Sequence, residues 1–168
     1  MTLDDLKTLL DFHYWARDRV LDAAARLTPE QFRRDLGSSF PSVHDTLSHI
    51  YSADRAWCDI WHTGLLAAMP GFEPFPDLAH LREAWTAIEG KMLAFLNSLG
   101  ETDVNRAMEY RLPNGAASSF PIGQMVQHVV NHGTYHRGQL TTMFRQLGVE
   151  PAQSMDLIRY YRERSRQR

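Results

Sequence analysis

Cysteine is almost missing: Cys58 stands alone in 168 residues. That excludes an intramolecular disulfide and a Cys-based zinc cage, and makes a reducing compartment the default. Basic excess is missing too, since 18 Lys+Arg against 20 Asp+Glu leave a net charge of -2. A dedicated nucleic-acid binder carries such an excess, so nucleic acid is not the expected partner. No apolar run approaches the ~20 residues that a membrane span needs. The segment from Met1 to Lys7 holds Asp4 and Asp5 and has no basic stretch leading into an apolar one. No signal peptide is therefore expected, and the expected location is cytoplasmic. Hydrophobic residues at 43% and charged residues at 23% are ordinary for a globular chain, which excludes disorder. The length suits one domain over 1–168.

What is present is helical periodicity and histidine. Thr2 can cap a first long helix from about Leu3 to Leu27, with Leu3, Leu6, Leu10, Val20, Leu21 and Ala24 on one stripe. Thr28-Pro29-Glu30-Gln31 opens a short helix, which Gly37-Ser38-Ser39-Phe40-Pro41 breaks. Ser42 and Asp45 have capping-box spacing and start a second long helix to about His62. Gly64 to Pro76 is loop. Asp77 caps a third long helix along Leu78, Leu81, Trp85, Ile88, Met92, Phe95 and Leu99, with Gly100 as its C-terminal cap. Residues 101–120 are irregular or weakly extended, and Pro113-Asn114-Gly115 is a turn that can close a small hairpin near 109–120. A fourth long helix runs from Pro121 to Leu147, stopped by Gly148 and Pro151, and 155–164 can add a short one. Four long helices with little strand signal predict an all-α fold, a four-helix bundle. The tail's Arg159, Arg162, Arg164, Arg166 and Arg168 read as a solvated helix end.

His128, His132 and His136 lie within nine residues of one another. Residues four apart share a helix face, so His132 and His136 can reach one metal ion. The zinc-protease pattern H-E-x-x-H is not met, because Gly133 stands where the general-base Glu belongs. At about 100° per residue, His136 lies within about 40° of the core line of its helix, His132 within about 80°, and His128 about 120° away. The pair 132/136 is thus the inward one, and His128 is not expected to be a ligand. On the second helix His49 shares the buried flank with Ala53, Ala56 and Ile60, whose small members leave room around its ring. His44 and His62 fall on the far side, in solvent. The spacing leaves two readings open: a three-His metal site, or core histidines satisfied by hydrogen bonds. Asp54 reads as the counter-ion of an inward Arg such as Arg137, and alternatively as a carboxylate supporting the ligands. Met125, Met143 and Cys58 read as core filler.

The stretch Asn131-His132-Gly133-Thr134-Tyr135-His136-Arg137-Gly138-Gln139-Leu140 resembles the signature helix of the DinB family of damage-inducible, YfiT-related bundle proteins. Ser42 to Ile50 with Trp57, Tyr14-Trp15-Ala16, Leu112 to Gly115, and Gly148 to Pro151 with Asp156-Leu157-Ile158 match in the same order. The resemblance covers essentially the whole chain. It implies an up-down-down-up four-helix bundle and a divalent metal on His49, His132 and His136. It also implies a homodimer and, as in some characterised members, a thiol-dependent S-transferase or isomerase that uses a low-molecular-weight thiol. Gly138 is expected to let a neighbouring helix approach closely, and Gln139 to hydrogen-bond near the histidines.

Three imidazoles suit Zn, Ni, Fe or Cu and leave coordination positions open, the mark of a catalytic rather than a structural site. The expected function is a metal-dependent enzyme, S-transferase-like or hydrolase-like. The rival is a non-catalytic metal-binding or interaction bundle in a stress response.

Overall fold

Three of the four long helices begin where a short polar side chain satisfies a free N–H group, and the fourth begins at a proline, Pro121, without such a cap. The structure is a computed structural model and describes residues 1–68, 71 and 74–166. Helix α1 (Leu3–Ala24) starts in a reciprocal box, with Thr2 Oγ1 accepting from Asp5 N at 3.1 Å and Asp5 accepting from Thr2 N at 2.8 Å. The same box between Thr28 and Gln31 opens α2 (Pro29–Arg33). Ser42 caps α3 (Val43–Thr63) and Asp77 caps α4 (Leu78–Asn97). Gly100 does not end α4 as expected. Its N–H bonds the Asp103 carboxylate at 2.8 Å and opens a 3-10 turn over Glu101–Asn105. Strands β1 (Ala107–Arg111) and β2 (Ala117–Pro121) then pair antiparallel, Ala107 opposite Pro121 and Arg111 opposite Ala117. Helix α5 (Ile122–Gln146) ends at Gly148, whose φ of 70 is the left-handed conformation that glycine takes without strain. Helix α6 (Leu157–Ser165) closes the described chain.

Side-chain contacts fix the helix directions. Tyr51 meets Trp85 and Trp61 stacks on Phe95, so α3 and α4 run parallel. The backbone at Gly123 faces Leu6 and that at Gly133 faces His13, so α1 and α5 are parallel too. Tyr14 bonds Met92 whereas Asp22 pairs with Arg82, which sets α1 antiparallel to α4. Thr46 contacts Met143 whereas Trp57 contacts His128, which sets α3 antiparallel to α5. The order is therefore up-down-down-up for α1, α3, α4 and α5.

The core follows the predicted stripes, with Leu6, Leu10, Leu21, Leu47, Leu81, Met92, Val126 and Leu140 at most 1% exposed. At the end of α4 the buried position is Leu96, and Phe95 and Leu99 lie at its edge. A real helix drifts from a fixed repeat as it runs, which shifts the last turn's facing residue. The hairpin is pinned to the end of α3, where Leu66 N donates to Arg111 O and Arg111 N to Gly64 O, both at 2.9 Å. Helix α6 packs along α1 and brings Glu163 to Trp15 and Arg19. Arg159 and Arg164 of the tail are engaged with Glu163 and Tyr160, and Arg168 lies outside the described residues.

His44 corrects an expectation. It is buried rather than solvated, with Nδ1 2.8 Å from Asp45 and Nε2 donating to the Phe75 carbonyl at 3.0 Å. The helical wheel assigned that face to water, but α2 and the chain entering α4 fold across it, and the Phe32 ring meets His44 edge-on. His62 is exposed, as expected.

Candidate metal centre

Helices α3 and α5 cross antiparallel, and their histidines meet in the seam. His49, His132 and His136 each present one ring nitrogen, and these nitrogens lie within 4.8 Å of one another. His49 Nε2 and His132 Nε2 are 3.1 Å apart. Two nitrogens on the edge of a tetrahedron whose centre lies 2.0–2.1 Å away are ~3.3 Å apart, so this pair is spaced to share one ion of that size. The other ring nitrogens set the orientation. His49 Nδ1 donates to the Gly71 carbonyl at 2.8 Å, and His136 Nδ1 donates to Gln139 Oε1 at 2.7 Å. Each of these bonds leaves Nε2 with a lone pair, the form of imidazole that binds metals. Gln139 thus does what the sequence suggested. His132 Nδ1 is buried without a partner among the described residues.

Electrostatics favours the same state. Burial, reinforced by His136 and His49, pushes the His132 imidazole down to about 3. Burial also lowers His49 and His136. A neutral imidazole is a ready ligand, so the cluster needs no proton loss near neutral pH to accept a cation. Donor type, spacing and protonation all fit a divalent transition metal.

The ring of Phe40 completes one wall, stacked on His49 at 3.9 Å and edge-on to His136 at 5.6 Å. It sits in the segment before α3 where periodicity carries no information, and no sequence signal marked it. His128 lies one turn before His132, its ring centre 5.9 Å from that of His132, and is not part of the three-nitrogen group.

Behind the cluster lies a buried polar layer with one side chain from each long helix. His13 Nε2 and Trp85 Nε1 donate to Asp54 Oδ2 at 2.9 and 2.8 Å. Arg137 Nη1 approaches His13 Nδ1 at 3.4 Å, and its Nη2 donates to Thr134 at 2.8 Å. Since Arg only donates, His13 accepts at Nδ1 and carries its proton on Nε2. Asp54 is therefore coupled to Arg137 through an imidazole rather than in a direct ion pair, which amends the expected pairing. Burial lowers the Arg137 guanidinium to about 10, still charged at neutral pH. A missed signal pointed to His13: positions 3, 6, 10, 13, 17, 20 and 24 form one stripe, so His13 and Arg17 had to face inward.

Glycine placement needs one further correction. Gly138 is exposed and nothing lies near it. The close approach is at Gly133, where a Cβ would fall 2.5 Å from the His13 ring and 2.8 Å from Arg137. The position that carries Glu in the zinc proteases is thus filled here by helix α1. Met125, Met143 and Cys58 are buried core residues, and burial raises the Cys58 thiol to about 11.

Comparison with known proteins agrees with this architecture. The chain is 26% identical over 151 residues to protein DinB of Bacillus subtilis, covering 86% of this chain and 87% of that one. A crystal structure of a DinB-like protein from Bacillus subtilis superposes with a TM-score of 0.65 at 15% identity, covering 88% of this chain and 97% of that one. A DinB-like protein from Bacillus cereus gives 0.64 at 17% identity, covering 87% and 95%. The DinB family model matches residues 2–167, and the chain belongs to the DinB family.

Proposed function

We propose that residues 1–168 act as a single-domain metalloenzyme in which His49, His132 and His136 hold a divalent transition metal, zinc, nickel or iron. The observation that carries this reading is the convergence of three neutral imidazoles, two of them locked through Nδ1 so that Nε2 is turned to a common point. An ion held there supplies the positive charge that acidifies a thiol or a water near neutral pH. The chain's own contribution is to orient and exclude. Gly71 and Gln139 fix two ring planes, Phe40 shields one side from water, and a cavity opens on the side of Ala53 and Trp57.

Among the described residues lining that cavity no carboxylate is present to take a proton from water. Addition of a thiol to an electrophile therefore fits better than hydrolysis, because a thiol is far more acidic than water and, beside an ion, would release its proton to bulk solvent without a side-chain base. A low-molecular-weight thiol is the proposed co-substrate. Two further family traits, a homodimer and a cytoplasmic site of action, belong to the same proposal. No helix among the described residues is long and apolar enough to cross a membrane.

The test is elemental analysis of the purified protein together with a screen of electrophiles against several small thiols, repeated after chelation and on His132→Ala. Activity that follows metal content supports the proposal. Bound metal with no turnover for any thiol or water would favour the non-catalytic metal-binding bundle, and sedimentation of the same sample reads the dimer.

A further inference from the structure

The space beside the histidines is larger than a metal and a small thiol need. An inner lobe of about 320 Å³ is bounded by His49, His132, Ala53, Trp57 and Tyr110, among others. An outer lobe of about 440 Å³ is bounded by Trp57, Tyr110, Phe120, Gln124, Met125 and His128. Trp57, Tyr110 and His128 border both, so the lobes meet across three rings. The Trp57 ring is 5.9 Å from that of Tyr110 and 5.3 Å from that of His128, both steeply inclined. Such walls offer edges and faces to a flat guest. Phe120, 45% exposed, borders the outer lobe.

Charge decides what kind of guest the space accepts. Among the described residues no Lys, Arg, Asp or Glu lines either lobe. A carboxylate or phosphate brought there would lose hydration with no cation to replace it. Polar groups are few: Gln124 and His128 stand in the outer lobe, and His128 has no hydrogen-bond partner among the described residues. Its ring is free to serve one heteroatom of a ligand.

We propose that the paired lobes bind an uncharged, planar, aromatic-sized small molecule, seated against Trp57 and Tyr110 with one hydrogen-bonding heteroatom turned to His128. It would be the electrophilic substrate of the centre proposed above. Its role rests on that reading, whereas its binding does not.

The experiment uses the metal-stripped full chain, so that no ion can hold an anionic probe, and titrates it by calorimetry with 1-naphthol and with 1-naphthoate, a neutral and an anionic molecule of one shape. The expected result is saturable one-to-one binding of 1-naphthol, with 1-naphthoate weaker by about tenfold or more, about 1.4 kcal/mol. Trp57→Ala should weaken 1-naphthol by about tenfold, and Trp57→Phe, which keeps a ring and spares the fold, by less. Phe120→Lys, at an exposed position, should strengthen 1-naphthoate severalfold while weakening 1-naphthol. Equal binding of the two probes to the metal-stripped protein overturns the proposal, as does 1-naphthol binding that neither Trp57→Ala nor Phe120→Lys changes. Thiol-transfer activity in a protein that fails to bind 1-naphthol refutes this groove alone. A protein that binds 1-naphthol as expected yet never catalyses refutes the enzyme reading alone.

Discussion

At the scale of single residues, the centre depends on three rings among eight histidines. Ala at His49, His132 or His136 should each remove most of the bound metal, measured as moles of metal per mole of chain. Ala at His62, His80 or His128 should leave it in place. His44→Ala should separate stability from binding: it is expected to keep the metal but lose the two ring hydrogen bonds, a destabilisation of about 1–3 kcal/mol read from urea melts. Gly133→Ala should destabilise by about 1–3 kcal/mol, because its Cβ would enter the His13 ring, whereas Gly138→Ala should not destabilise the protein. Equal effects at the two glycines would contradict the close approach. The convergence of His49, His132 and His136 was legible from sequence because helical spacing converts directly into direction. His44 was misplaced because a wheel knows one helix and not the segment folded over it. Phe40 was illegible because its position is set by a loop with no period.

Among elements, the four long helices share the layer of His13, Asp54, Trp85 and Arg137. Each of the four occupies a core position of its own helix, so the layer interrupts four apolar stripes at one level. Removing one partner leaves the others buried and unpaired. Asp54→Ala should cost about 3–5 kcal/mol in chemical denaturation, and Asp54→Asn less, since the amide still accepts from Trp85. A loss below about 1 kcal/mol for Asp54→Ala would show the layer to be dispensable. The elements were the most legible part of the chain. Caps at Thr2, Thr28, Ser42 and Asp77 and the Pro113-Asn114-Gly115 turn are local signals, and local geometry obeyed them. What escaped was the pairing between elements. Spacing on α3 and α5 turns Asp54 and Arg137 inward, but says nothing of the His13 ring that α1 places between them.

For the whole molecule, the apolar core runs through all four helices and does not depend on the ion. Burial at ~25 cal/mol per Å² is the main stabilising contribution, and a chain of this length buries enough surface to fold without metal. Chelated protein should keep its helical circular dichroism and melt cooperatively at a lower Tm, and a loss of helical signal at room temperature would make the site structural. Metal-free protein should also weaken in acid. His132 is held at about 3 in the folded state, whereas a free imidazole titrates near 6.5. The unfolded chain then takes up the proton first, so stability falls as pH drops below about 6.5, and this contribution is absent above it. Urea midpoints at pH 7.5 and pH 5 should therefore differ more for the parent than for His132→Ala.

The parallel pairing of α1 with α5 sets the first and the last of the long helices side by side, and this bears on how the protein is made. Synthesis delivers α1, α3 and α4 first, and with them His13, Asp54 and Trp85. The partner of this trio, Arg137, and two of the three histidines arrive only with α5. Until that last long helix leaves the ribosome, α1 and α3 have no partner along the faces that α5 covers, and His49 is a lone imidazole beside a half-built core. Metal capture by the proposed centre thus waits for α5, and a chain arrested before Ile122 would carry one of its three histidines.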